Sequence, residues 1–328
     1  MQLFTKNPPL VRAFQVSAFD ADPELIRVPT PTPASGEILV AIKACALNFA
    51  DLLMANGTYQ EKPPLPFTLG MEVAGDVLAL GPNTGGPKIG SRVAVFGGHG
   101  GLAEAGVFPA DRVVVLPDEM PFEDAAAFLV AYGTSHVALS HKARLQPGET
   151  LLVLGAAGGV GLTAIEIGKL MGARVIAVAR GAEKLAIAKA AGADHLIDAG
   201  DDLRGAVKAL GGADVVYDPV GGDLFNAALR TLKPDGRILP LGFASGTVPQ
   251  IPANILLVKN ISVLGMYWGG YVKTNPKVIT DSLAQLFAWY AQGKLTPHIS
   301  HSLPLERAAE GLELLRARKS TGKIVITP

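Results

Sequence analysis

Cysteine is nearly missing: Cys45 is the single one in 328 residues. One thiol cannot form a disulfide within the chain, and it cannot build a zinc module of several thiolates. Net charge is missing too, with 29 basic residues against 29 acidic ones. A neutral chain without a basic stripe has no field to draw nucleic acid or an anionic membrane to it. No uninterrupted apolar run reaches the roughly 18 to 20 residues of a membrane span. The start, MQLFTKNPPLVRAF, lacks a long apolar core behind a basic segment, so no signal peptide is expected and cytoplasmic is the default. What is present is a hydrophobic fraction of 49% beside 18% charged residues, which suits compact folding. The length accommodates two domains of ordinary size.

The pattern divides the chain. Residues 1–122 read as β-rich: EILVAIKACAL, EVAGDVLAL, SRVAVFG and RVVVLP lie between Pro- and Gly-rich punctuation such as GPNTGGPKIG. From 123 the rhythm changes. PFEDAAAFLVAYGTSHVALSHKA reads as one Ala-rich helix ended by Gln146-Pro147-Gly148. TLLVLG, RVIAVA, HLID, DVVYDPV and GRILPLG then alternate with helical stretches up to about 265. Such alternation predicts an α/β fold, a doubly wound parallel sheet with right-handed crossovers. Residues 266–328 return to mixed structure, with helices in ITDSLAQLFAWYAQG and ERAAEGLELLRAR. The tail GKIVITP reads as a last strand that rejoins the first, β-rich domain, making that domain discontinuous.

Between the first parallel strand and its helix lies GAAGGVG, residues 155–161. Gly158 lets the backbone approach a pyrophosphate and Gly161 lets the helix pack close to the strand, while free N–H groups at the helix start hold phosphate. Ala156 stands where the usual G-x-G-x-x-G has its first glycine. Such a turn can also be a plain connection; its place inside a full βαβ series favours a dinucleotide. An acid roughly twenty residues further on normally accepts from the adenosine ribose. Here that distance reaches Ala179 and Arg180, with Lys184 one helical turn later. An acid would repel a 2′-phosphate and a guanidinium can bind it bidentately, so the pattern points to NADP(H) rather than NAD(H). The bland alternative is a solvated basic helix start.

With these motifs the chain resembles the NADPH:quinone reductase (zeta-crystallin-like) branch of the zinc-free medium-chain dehydrogenase/reductase superfamily, over nearly its whole length. The stretches that carry it are ALNFADLLMANGTY, PFTLGMEVAG, LLVLGAAGGVGLTAIEIGKLMGARVIAVA, AGADHLID, DVVYDPVGGD, GRILPLGFASG, LLVKNISVLGMYWG and RARKSTGKIVITP. The resemblance implies a GroES-like catalytic domain beside a Rossmann domain, a site in the cleft between them, and a homodimer built by pairing Rossmann sheets edge to edge. It places Ala157, Gly158, Gly159, Val160, Val220, Gly242, Phe243 and Trp268 with Arg180 and Lys184 against the cofactor. It adds Arg318 at the adenosine end.

Zinc relatives carry Cys and His ligands where this chain has Asn48 and Met71. Met is a poor Zn²⁺ ligand and amide oxygen a rare one, so no metal is expected. His99 and His136 remain as isolated histidines, and Asp51 and Glu72 are expected to bond backbone or a neighbouring side chain. The resemblance puts Asn48 and Tyr59 on the substrate side, each with a donor to orient a carbonyl; their alternatives are a turn residue and a half-buried loop aromatic. Two departures stand out: Leu53 and Ala199 occupy places where some members have tyrosine.

The implied chemistry is hydride transfer from NADPH to a quinone or a conjugated carbonyl, with the protein supplying orientation and hydrogen bonds to the developing oxyanion. A quinone product can take its proton from water, which suits a sequence without an evident Ser–His–Asp set or carboxylate pair. An enone, 2-alkenal or enoyl-thioester reductase uses the same cofactor but needs protonation at carbon. A non-catalytic NADPH-bound protein, crystallin-like or RNA-binding, is the alternative of another class.

Overall fold

A computed structural model describes residues 8–328, so the first seven residues of the amino-terminal segment read above lie outside the described residues. The chain divides into two compact units, 1–130 with 299–328, and 131–298.

The second unit holds a six-stranded, all-parallel sheet in the order His195–Asp198, Arg174–Ala179, Thr150–Leu154, Ala213–Asp218, Leu232–Pro240 and Ser262–Val263. In chain order this is 3-2-1-4-5-6, the doubly wound arrangement whose order reverses between the first and fourth strands. Its central strands are apolar runs because helices cover both faces: Leu152, Leu154, Ile176, Val178, Val216 and Ile238 are buried. Close helix packing needs missing side chains. A Cβ on Gly168, in the helix Gly159–Leu170, would come 2.6 Å from Leu151 Cδ2.

The first unit is β-rich. Its larger sheet runs Ile299–Pro304, Lys323–Thr327, Glu37–Ala46, Glu72–Leu80, Arg92–Phe96 and Val113–Val115, with Ala105–Pro109 also paired to Glu37–Ala46. The tail strand lies antiparallel to Glu37–Ala46, with Val325 opposite Ala46. A smaller sheet joins Glu24–Pro29, Leu10–Val16 and Phe67–Thr68.

The unit boundaries differ from those of the sequence pattern. Phe122–Ala126 packs on the strands Glu37–Ala46 and Glu72–Leu80, so the first unit extends to 130 rather than 122. The return comes at 299 rather than 266, because Trp268–Thr274 and Pro276–Ala291 pack within the second unit. There Gly133 faces the Trp268 indole, and His136 meets Ser282 and Trp289. The single helix expected over 121–143 is broken into Phe122–Ala126, Leu129–His136 and a wide turn over Val137–Lys142. Ser140 Oγ donates to His136 O at 2.6 Å, a bond that competes with the regular ladder. Among the described residues no helix is long and apolar enough to cross a membrane.

Candidate functional site

The glycine turn leaves the carboxyl end of Thr150–Leu154, where the strand order reverses. Gly155 takes φ +58° and Ala156 N–H donates to Val178 O at 2.9 Å. Gly158 N–H donates back to Gly155 O at 2.9 Å, and the twelve-residue helix Gly159–Leu170 begins immediately after. No side chain caps that helix start. Its first N–H groups are the orphan donors of any helix, and they suit an anion. Gly161 is required by the close approach of helix to turn: a Cβ there would lie 2.3 Å from Gly155 O.

Opposite stands the turn after Ala213–Asp218. Asp218 is fully buried, and its carboxylate accepts from Val220 N at 2.7 Å and Gly221 N at 2.9 Å. Burial pushes its carboxyl up to about 6, against the pull of those two donors. The clamp sets Val220 over the glycine turn, so that a Cβ on Gly155 would meet Val220 Cγ2 at 2.9 Å. Ala244 N and Ser245 N then bond Pro219 O and Val220 O at 3.1 and 2.8 Å, which brings Gly242 and Phe243 alongside Val220. Ala157, Gly158, Gly159, Val160, Val220, Gly242 and Phe243 thus share the carboxyl-end crevice of one sheet.

Arg180 is exposed at the end of its strand, and Lys184 lies half-buried in the first turn of Ala182–Ala190. Neighbouring them is an acid that the spacing argument passes over. Asp198 ends the adjacent strand, in register with Ala179. Its carboxylate accepts from Gly200 N at 2.9 Å and Gly181 N at 2.7 Å. Those N–H groups hold it below the usual carboxylate range, with Arg180 adding to the effect. The signal was the Asp closing HLID, since strands two and three of a 3-2-1 order end side by side.

Two further expected cofactor residues lie on other elements of the chain. Trp268 is 5% exposed and packs on Gly133 of the helix Leu129–His136. Arg318 is exposed in the first unit at φ +56°, just beyond the helix Ala308–Arg316. A buried hydroxyl cluster escaped the sequence altogether. Ser135 Oγ lies 2.7 Å from Thr163 Oγ1 and 2.8 Å from Tyr217 Oη, and donates to Val160 O at 3.0 Å. It fixes the first turn of the uncapped helix from below, and burial raises the Tyr217 phenol further above its ordinary range.

In the first unit Asn48 caps the short helix Phe49–Ala55 in an extended conformation. Its N–H donates to Asp51 Oδ2 at 2.8 Å, and Asp51 Oδ1 accepts from Gly70 N at 3.2 Å. Asp51 is fully buried, and burial pushes its carboxyl up to about 7. The Asn48 amide is held at both ends: Nδ2 donates to Glu72 Oε1 at 3.0 Å, and Oδ1 accepts from Lys323 Nζ at 2.7 Å. Lys323 also donates to Glu72 Oε1 at 2.9 Å, and Glu72 Oε2 accepts from Val130 N at 2.9 Å. Asp51 and Glu72 therefore bond backbone and neighbouring side chains, while Lys323 went unread. Tyr59 follows the same helix, half-buried, with its N–H and that of Thr58 on Leu53 O at 3.1 and 2.8 Å.

These groups do not fit a zinc ion. The Asn48 amide is engaged at both ends, and Met71 is 2% exposed in the core. His99 stacks edge-on to Phe67 and His136 bonds Ser282, in different units. Among the described residues no three His, Cys, Asp or Glu converge as ligands.

A family model for the alcohol dehydrogenase GroES-like domain matches residues 34–118, and one for zinc-binding dehydrogenases matches 159–287. The chain is 42% identical over 304 residues to the quinone oxidoreductase-like protein 2 homolog of Nematostella vectensis, covering 90% of this chain and 83% of that one. It superposes on the quinone oxidoreductase of Pseudomonas syringae pv. tomato DC3000 with a TM-score of 0.91 at 33% identity, covering 97% and 100% of the two chains. The Escherichia coli quinone oxidoreductase complexed with NADPH gives a TM-score of 0.88 at 30% identity, covering 97% and 99%.

Proposed function

The chain belongs to the quinone oxidoreductase branch of the medium-chain dehydrogenase/reductase superfamily, and we propose on that footing that it reduces quinones with NADPH, without zinc. The observation that carries this reading is the glycine cradle at the strand-order reversal, uncapped by any side chain, with Arg180 standing where an NAD enzyme has an acid. The residues fit such a cofactor. The orphan N–H groups of the first turn, Gly159 to Gly161, bind the pyrophosphate beside the Gly158 turn. Arg180 and Lys184 bind the 2′-phosphate, and Arg318 joins them at the adenosine end. Val220, Gly242, Phe243 and Trp268 shape the rest of the cofactor's surroundings.

When bound, NADPH supplies the hydride and its electron pair. Tyr59 Oη and the Asn48 amide orient the acceptor and donate to the oxygen on which negative charge develops. The reduced quinone is a stabilised phenolate and takes its proton from water, so no dedicated acid is required. Asp51, Glu72 and Asp218 are bonded to backbone or to Lys323 and hold the site's shape. A homodimer formed through the sheet edge fits the same reading. Ser262–Val263 pairs on one side only, and Leu257 and Val258 before it are each 78% exposed.

The test is NADPH oxidation with 1,4-benzoquinone, 9,10-phenanthrenequinone, 2-alkenals and enoyl thioesters, each repeated with NADH. Turnover of the quinones with a preference for NADPH is expected. Turnover of alkenals or thioesters alone would make this an alkene reductase, and NADPH binding without turnover of any acceptor would make it a binding protein.

A further inference from the structure

Lys323 opens the last strand, its side chain buried at 5% exposure against Asn48 and Glu72. We propose that it is a positioning residue for Asn48, fixing which way round the amide stands and strengthening the one N–H that the amide has left to give. This rests on the reading that Asn48 meets the acceptor.

The argument is one of donors and acceptors. A carboxamide has nearly the same shape in both flips, so its partners alone decide the orientation. A lysine ammonium only donates, so the group facing it at 2.7 Å must be the amide oxygen. An ionised carboxylate only accepts, so the group facing Glu72 Oε1 at 3.0 Å must be the amide nitrogen. Both ends demand the same flip. The ammonium and carboxylate also bond each other at 2.9 Å, closing a ring of three hydrogen bonds that does not depend on solvent. Of the two Nδ2 protons one goes to Glu72. The other has only Ala46 O at 3.4 Å, a weak partner that an incoming oxygen can replace. A cation on the amide oxygen draws electron density from the nitrogen and makes that remaining N–H a stronger donor in a site of low dielectric. Lys323 thus acts on the acceptor through Asn48 without touching it.

Removing Lys323 alone leaves Glu72 as a buried unpaired charge and can unfold the chain. The informative variant is Lys323→Met with Glu72→Gln, which removes both charges and leaves one amide oxygen for either Asn48 Nδ2 or Val130 N, no longer both. Turnover with 1,4-benzoquinone, NADPH affinity and thermal unfolding are measured on it, on Lys323→Arg, on Asn48→Ala, and on the triple variant. The expected result is a cooperatively folded double variant with NADPH affinity within about twofold of the parent and kcat lower by roughly tenfold or more. Lys323→Arg keeps the cation and most of the rate. On the Asn48→Ala background the two charge changes lower kcat no further. A folded double variant with full kcat overturns the proposal, as does an additional loss on the Asn48→Ala background. If Asn48→Ala itself keeps full turnover, the reading of Asn48 as an acceptor contact fails first, and this inference with it.

Discussion

Gly161→Ala and Gly158→Ala separate the two uses of glycine in one turn. At Gly161 the added methyl carbon would lie 2.3 Å from Gly155 O, 2.8 Å from Ala156 Cα and 2.9 Å from Ala156 C. All three are backbone atoms, and carbon contacts are comfortable only near 3.5 to 4.0 Å, so helix and turn must separate by about 1 Å. Forcing a methyl into a packed site of this kind costs about 1 to 3 kcal/mol. For a unit of this size that is a fall in melting temperature of roughly 2 to 12 °C. The displaced groups are also the proposed phosphate donors, so NADPH affinity falls as well, by roughly 10- to 150-fold for one charge-assisted bond. At Gly158 the backbone already sits at φ −79°, ψ 173°, which alanine adopts freely. Its Cβ would meet only Gly155 O, at 3.3 Å. Gly158→Ala should therefore melt within about 2 °C of the parent, yet still lose at least about tenfold in NADPH affinity, because its methyl occupies the approach to the pyrophosphate. Thermal unfolding and a cofactor titration on both variants settle the matter. Native NADPH affinity in Gly158→Ala would refute the phosphate role of the turn, and a native melting temperature in Gly161→Ala would refute the packing argument.

Three further outcomes are expected. Arg180→Ala should weaken NADPH by roughly 10- to 150-fold and leave NADH nearly unchanged in titrations at one ionic strength; equal weakening of both would place the phosphate elsewhere. Tyr59→Phe should lower kcat/KM for the quinone while NADPH affinity and melting temperature stay put, and parallel losses of stability and activity would reduce Tyr59 to a loop aromatic. Burial drives His136 down to about 4 from 6.5, so the fold favours its neutral form. That contribution is present above pH 6.5, is lost as pH falls toward 4, and amounts to about 3 kcal/mol. His136→Asn should flatten the acid limb of the melting-temperature profile over that window, and an unaltered limb would show the imidazole does not titrate there.

What could be read from the sequence was local. Thr150–Leu154 shows its buried parallel strand because five apolar or small residues in a row have nowhere but an interior to go. GAAGGVG shows its turn because Gly161 tolerates no side chain. What could not be read depends on distance along the chain. Lys323 meets Asn48 across 275 positions, and Ser135 meets Tyr217 across 82. Neither residue carries a local sign of its partner, although a lone lysine opening the apolar strand KIVIT was a clue. The helix break at 127–128 and the shifted unit boundaries are likewise products of packing, since Ala-rich sequence is content in one helix or three.

The same distinction explains why the acid expected near Arg180 is missing while acids crowd both candidate regions. Asp51 takes the N–H groups of Asn48 and Gly70, Asp198 those of Gly181 and Gly200, and Asp218 those of Val220 and Gly221. Each aspartate spends both its charge and its geometry on pinning a turn that carries a proposed contact residue. A carboxylate so engaged serves its turn first, since taking up a proton would cost it a backbone bond. The chemistry then falls to the groups the turns present: uncommitted N–H groups, one guanidinium, one phenol and one carboxamide. That inventory suits the proposed binding of a phosphorylated hydride donor and the steadying of an oxyanion, and the proposed reduction of a quinone needs no acid to protonate carbon. A quinone, whose reduced form is content with a proton from water, is the acceptor that asks for nothing more.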